Sequence, residues 1–202
     1  ETLIINEDLP SDKRNRFLAI IQKESDRLKR LIEDILLLSS IESKNNLVTE
    51  NVLLYNVFKE VYEMISYIAS SKHIKIYYNF EDENVAIQAY GDYIKQLFLN
   101  LIDNAIKYTP EGGTVIINQF TRNNEITIED IDNGVGIPKE DQDKIFQRFY
   151  RVDKARSRSV GGTGLGLAIT KHIVNSLQGN ISVESKLGEG SKFIVTIPTK
   201  IS

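Results

Sequence analysis

Hydrophobic and polar positions repeat along this chain with a period that changes several times, and each change marks an element. Between about residues 92 and 108 the period is helical. At about 100° per residue, Gln96, Asn100, Asp103, Asn104 and Lys107 fall in one polar arc. Ile94, Leu97, Phe98, Leu101, Ile102, Ala105 and Ile106 fill the other side. A longer helix is predicted over about 13–44. There Phe17, Ile21, Leu28, Leu31, Ile35 and Leu38 recur in a bundle-like or coiled-coil seam broken at Glu24. Residues 1–6 read as the end of a preceding helix, and 7–12 as a capped turn. Two further helices are predicted: 56–71, with Val57, Val61, Ile65 and Ile68 on one side, and about 164–178. Strand patterns cover 47–54, 74–80, 85–89, 114–121, 125–132, 180–186 and 191–197. Ser43–Asn46 reads as a linker, so residues 1–45 form a helical region and 46–202 a mixed one. Because helices and strands mix without strict βαβ alternation, the pattern predicts an α+β fold, a two-layer α/β sandwich rather than a doubly wound sheet.

Composition narrows the function classes. The chain has 202 residues, 41% of them hydrophobic and 26% charged, which are globular values with room for one full domain and a smaller element. A net charge of −3 gives no sign of nucleic-acid binding. The absence of cysteine excludes disulfides, zinc-thiolate sites and a cysteine nucleophile, and fits a cytoplasmic location. No apolar run reaches the length of a membrane span, and no signal peptide is visible. The chain opens on Glu1-Thr-Leu-Ile without Met. We therefore expect an excised cytoplasmic fragment.

Four segments carry candidate chemistry. The polar arc of the 92–108 helix sets short amides, Asn100 and Asn104, one turn apart, which suits a hard cation held together with phosphate oxygens; a solvated stripe is the plain alternative. Asp132-Asn-Gly134-Val-Gly136-Ile137 follows a strand pattern and can set a carboxylate against a flat ligand edge, with glycines where backbone must approach closely. It is not an EF-hand, since Val135 stands where the loop glycine is required and Asp141 where the bidentate Glu is. Gly161-Gly162-Thr163-Gly164-Leu165-Gly166 opens onto a helix, whose N-terminal N–H groups suit phosphate. Its spacing is neither that of a dinucleotide-binding turn nor that of a Walker loop. The plain alternatives are a glycine-rich turn and a hinge. Between the two glycine clusters, Phe146-Gln-Arg148-Phe149-Tyr150-Arg151 reads as part of a tethered lid over about 137–161 whose arginines could reach a terminal phosphate; a short packed helix with solvated charges is the alternative.

The order of these segments resembles the N, first-glycine, F and second-glycine boxes of bacterial sensor histidine kinases, in particular the phosphate-response and cell-wall-response class. The resemblance runs the length of the chain. It implies a Bergerat-type ATP-binding fold preceded by an incomplete antiparallel helical hairpin, with ATP and Mg²⁺ as cofactors. It further implies a homodimer through that hairpin and a response-regulator receiver domain as partner. By the same resemblance, Asn104 ligates Mg²⁺ with support from Asn100, Lys107 contacts phosphate and Tyr108 lies near the nucleotide. Asp132 accepts from the adenine amino group, and Gly134, Gly136 and Ile137 shape the base pocket. Arg151, and Arg148 with it, approach the γ-phosphate. Gly162, Thr163, Gly164, Leu165 and Gly166 cradle phosphates.

Gyrase- and chaperone-type ATPases of the same superfamily carry a Glu on the corresponding helix, matched here by Asn100. An amide cannot serve as a general base, which favours phosphoryl transfer to a protein over hydrolysis. Asp103 lies about 60° around the helix from Asn100 and is a poor substitute. The acidic box around the family's acceptor histidine does not occur here. Of the two histidines, His73 precedes a strand without an adjacent acid in sequence, and His172 lies beside an apolar stripe. The expected acceptor is therefore upstream of Glu1. An ATP-hydrolysing machine, an anti-sigma serine kinase and a nucleotide-free adaptor are the rival readings.

Overall fold

The computed structural model describes residues 10–43, 48–152 and 162–199. The helix end predicted over 1–6, most of the following turn, linker residues 44–46, and residues 153–161 with Gly161 lie outside the described residues.

Helix α1 (Ser11–Glu42) comes first, followed by β1 (Glu50–Leu53), α2 (Leu54–Ser71), β2 (Lys75–Phe80), β3 (Ala86–Ala89) and α3 (Gly91–Tyr108). Next are β4 (Thr114–Arg122), β5 (Glu125–Asp132), a 3₁₀ turn at Lys139–Asp141, α4 (Gly166–Ser176), β6 (Asn180–Lys186) and β7 (Gly190–Pro198). Five strands form one sheet in the order β2-β4-β5-β7-β6, while β1 and β3 pair antiparallel as a separate ribbon. Within the large sheet β2 runs parallel to β4 and the other pairs are antiparallel. The predicted two-layer sandwich is what forms, with helices over one face of the sheet. Of the expected hairpin, the described residues contain one helix.

Local chemistry accounts for the sheet's centre. Asn123 and Asn124 join β4 to β5 with both residues left-handed, at φ 53° and 64°. A two-residue loop of that hand matches strand twist, and asparagine tolerates it. Strict alternation then buries Val115 and Ile117 on β4, Ile126 and Ile128 on β5, and Phe193, Val195 and Ile197 on β7. Against these lie Phe58 of α2 and Ile94, Leu97, Phe98, Leu101 and Ile102 of α3, all nearly inaccessible. Full burial of each such side chain contributes about 1.5–3 kcal/mol. The apolar face of α3 is thereby committed to the core, and its polar arc must face outward.

Two predicted patterns shift. The strand expected over 47–54 is only Glu50–Leu53, because Leu54 opens α2 fully buried and donates its N–H to the Val85 carbonyl at 3.1 Å. The buried face of α2 is consequently Leu54, Phe58, Val61, Ile65 and Ala69, leaving Ile68 exposed and Val57 only half-buried. On α1, only Leu38 and Ile41 are buried, where its C-terminal end packs on α4. Phe17, Ile21, Leu28 and Ile35 of the predicted seam remain exposed. No helix among the described residues is long and apolar enough to cross a membrane.

Candidate functional site

One cavity of about 780 Å³ opens between α3, the turn after β5, the start of α4 and the side of α1. Its volume is that of a small-molecule or cofactor site. From α3 come Asn100, Asn104, Lys107 and Tyr108, since the arc that cannot enter the core faces this space. From the end of β5 and its turn come Asp132, Gly136 and Ile137, with Ile145 and Phe193 as an apolar wall. From the other side come Arg151, Gly162, Thr163, Gly164 and Gly166. The sequence-predicted residues thus converge on one place, with three exceptions.

Gly134 is buried behind the wall, where its N–H donates to Asp132 Oδ1 at 2.7 Å. Leu165 is fully buried, and its carbonyl accepts the Ile169 N–H at the start of α4. Arg148 turns away altogether. Its guanidinium pairs with Glu42 at the end of α1 and lies 3.3 Å from His172 Nε2. The ion pair on α1 holds Arg148, which does not line the cavity in this structure. His172 is half-buried in this polar cluster, not in apolar packing. Exposed His73 does have an acid beside it in space, with Nε2 3.6 Å from Glu111. Neither histidine lines the cavity.

The two ends of the cavity differ chemically. At one end the buried Asp132 carboxyl is pushed above the usual carboxylate range by burial, against the opposing pull of the Gly134 and Ser191 backbone donors. The adjoining turn is fixed by the Ser185 hydroxyl, which accepts the Ile137 N–H at 2.8 Å, and by Gln142 Nε2, which donates to the Ile137 and Ser185 carbonyls. Gly136 is left-handed at φ 68°, and a Cβ there would strike the Lys186 carbonyl. At the other end Lys107 pairs with Asp103, and Arg151 has a buried Nη2 without a hydrogen-bond partner among the described residues. Such a guanidinium nitrogen in a cavity suits an anionic acceptor. Asn100 ties the helix to the glycine loop. Its Nδ2 donates to the Gly166 carbonyl at 3.0 Å and its Oδ1 accepts from Gln96 Nε2 at 2.8 Å. Gly164 is left-handed at φ 78°, and a Cβ there would come to 3.0 Å from the Phe149 backbone.

The sequence profile of the histidine kinase-, DNA gyrase B- and HSP90-like ATPases matches residues 90–201, more than half of the chain. The chain belongs to this family. It is similar to the sensor histidine kinase WalK of Bacillus subtilis, 39% identical over 191 residues that make up 92% of this chain and 31% of that protein. The chain therefore spans about a third of the length of that curated relative. Among solved structures, full-length ShkA in complex with AMPPNP matches with a TM-score of 0.77 at 25% identity, covering 99% of this chain and 42% of that one. The histidine kinase ThkA in complex with the response regulator TrrA matches with a TM-score of 0.75 at 25% identity, covering 95% and 53%.

Membership of this ATPase family gives the cavity a natural ligand in ATP, yet the family boxes leave out part of the wall. Arg30, Glu33, Asp34 and Leu37 of α1 also line it. Asp34 Oδ2 accepts the Thr163 hydroxyl at 2.6 Å. Nothing local in the sequence marks Asp34, since it sits off the apolar seam on a helix rich in charge. Gln142, Ser185 and Ser191 likewise act through contacts between distant segments.

Proposed function

We propose that this chain is the Mg-ATP-binding core of a sensor histidine kinase that transfers the γ-phosphoryl of ATP to a histidine for relay to a response-regulator aspartate. The observation that carries this reading is the polarity of one cavity. A buried acceptor, Asp132, stands at the apolar end, and Lys107, Arg151, Asn104 and the glycine loop stand at the other. That is the donor set a purine triphosphate requires. The similarity to the sensor kinases over nearly the full chain supports it.

In this reading Asp132 accepts the adenine amino hydrogen while Gly136 and Ile137 bound the base. Lys107 and Arg151 donate to phosphate oxygens, and the N–H groups around Gly162–Gly166 add to them. Asn104 offers its amide oxygen to Mg²⁺, with Asn100 in support; the metal when bound supplies neutralisation of phosphate charge. No cluster of three or more His, Cys, Asp or Glu side chains among the described residues could hold a metal by itself. A cation held partly by substrate phosphates fits that donor set. The two groups nearest to a water-activating role are engaged elsewhere: Asn100 in amide hydrogen bonds, Asp103 with Lys107. Hydrolysis as in a gyrase- or chaperone-type machine therefore lacks its base, while transfer needs chiefly alignment and charge neutralisation. The acceptor histidine belongs to a segment outside these residues, with an adjacent acid taking its proton. The exposed stripe of α1 pairs with a second copy to form a dimer, and the natural protein is anchored in the cell membrane.

The test uses ATP labelled on its γ-phosphate, given to this chain and to a longer form carrying the preceding helix. Acid-labile, base-stable label on the longer form alone is expected. Stoichiometric phosphohistidine on the short chain, or rapid release of free phosphate from both, would overturn the reading.

A further inference from the structure

Helix α1 reaches into the cavity through its charged side, not its apolar seam. Asp34 takes the hydroxyl hydrogen of Thr163, and Thr163 Oγ1 in turn accepts the Leu165 N–H at 3.3 Å. The carboxylate thus occupies the donor of the glycine loop just before α4 begins. It lies close enough to Lys107 to feel its charge, which puts it at the phosphate end. Glu33 stands beside it on the cavity wall, with Arg30 as the cation that α1 brings there, so α1 contributes a net negative charge to a site built for an anion. Burial already pushes the Asp34 carboxyl upward, against the lowering effect of Thr163 and Lys107.

The helix is held down independently of any nucleotide. Leu38 and Ile41 are buried, and the Ser40 hydroxyl lies 3.3 Å from the Tyr93 hydroxyl. Glu42 pairs with Arg148, with His172 Nε2 at 3.8 Å. Asp132 and Asp34 line the same cavity from different sides, and Asp34 is on the side shared with Thr163 and Lys107.

We propose that Asp34 is a specificity-determining residue of this site. With α1 docked, its carboxylate admits a nucleoside diphosphate and opposes a triphosphate, so that the γ-phosphate and the docked helix exclude one another. This rests on the reading of the cavity as an ATP site.

The test is calorimetric titration with ADP and with AMPPNP, both with Mg²⁺, on the chain and on Asp34→Asn. The variant should bind AMPPNP about three- to tenfold more tightly, the scale of one like-charge contact at a partly exposed position. Its ADP affinity should change less than about twofold by the same reasoning. Glu42→Gln, which loosens the dock at its far end, should shift the preference the same way. Hydrogen exchange over residues 30–42 should quicken with AMPPNP and not with ADP. Equal changes for both nucleotides, weaker AMPPNP binding in Asp34→Asn, or protection of 30–42 by AMPPNP would each overturn the proposal while leaving the ATP site intact. Failure of the unaltered chain to bind either nucleotide would overturn both.

Discussion

Asp130 and Asp132 sit two residues apart on β5, point to the same side of the sheet and are both buried, yet their surroundings are opposite. Asp132 ends the strand at the cavity wall, with the Gly134 N–H on Oδ1. Asp130 lies one step inward, between Ile117 of β4 and Phe193 of β7 in the register. It is 1% exposed, and neither oxygen has a partner among the described residues. Burial first, and the Asp132 charge second, hold the Asp130 carboxyl well above its usual range. Strand alternation buries whatever occupies the inward position. Whether a buried carboxylate then serves a ligand depends on backbone donors and an open side, and only Asp132 has both.

The contrast is sharpest in binding. Asp132→Asn should weaken ATP about ten- to hundredfold, since a hydrogen bond to a charged group contributes ~1.5–3 kcal/mol, and should blur the preference for ATP over GTP. Unchanged affinity in a nucleotide titration would break the contrast. Asn104→Ala should weaken Mg-ATP by about tenfold but leave the ATP-to-GTP ratio alone, because it belongs to the phosphate end. A changed ratio would move base selection away from Asp132.

Asp130→Val should do the reverse of a site mutation. Removing a buried, unpartnered polar group should stabilise the fold by ~1–3 kcal/mol and raise Tm by a few degrees. A lower Tm would mean that Asp130 has a structural partner. The smallest effect is on pH dependence. The folded-state pKa of Asp130 is raised above the unfolded value of about 3.9. Below that pH the carboxyl is neutral in both states and only the pH-independent cost of burying it remains. As pH rises toward the folded-state value, the unfolded chain loses its proton first and stability falls. The advantage of Asp130→Val should therefore grow from acid to neutral pH in denaturant titrations; a constant difference would contradict the assigned cause.

Local periodicity made much of the fold legible. The two-faced α3 and the Asn123–Asn124 hairpin follow from spacing and turn chemistry that act within a few residues, and the start of α4 follows its glycine cluster. The boxes on those elements then meet at the cavity because the polar arc of α3 faces it and β5 ends there with Asp132 on its buried side. What stayed hidden depends on contacts between distant segments. Nothing near Arg148 in sequence announces its ion pair with Glu42, 106 residues earlier. The pattern over 47–54 makes Leu54 strand, but Val85 and the core make it the first residue of α2. Asp34 carried no signal because its partner, Thr163, is 129 residues away. Asp130 fits a strand alternation, and nothing local marks it as a carboxylate without a partner among the described residues.

The most direct measurement is a pair of titrations, ATP against GTP with Mg²⁺, on the unaltered chain and on Asp132→Asn. The account predicts that the unaltered chain prefers ATP by about tenfold or more and that the variant loses most of that preference. Equal binding of ATP and GTP by the unaltered chain, or a preference that survives in Asp132→Asn, would contradict a purine site organised around this carboxylate.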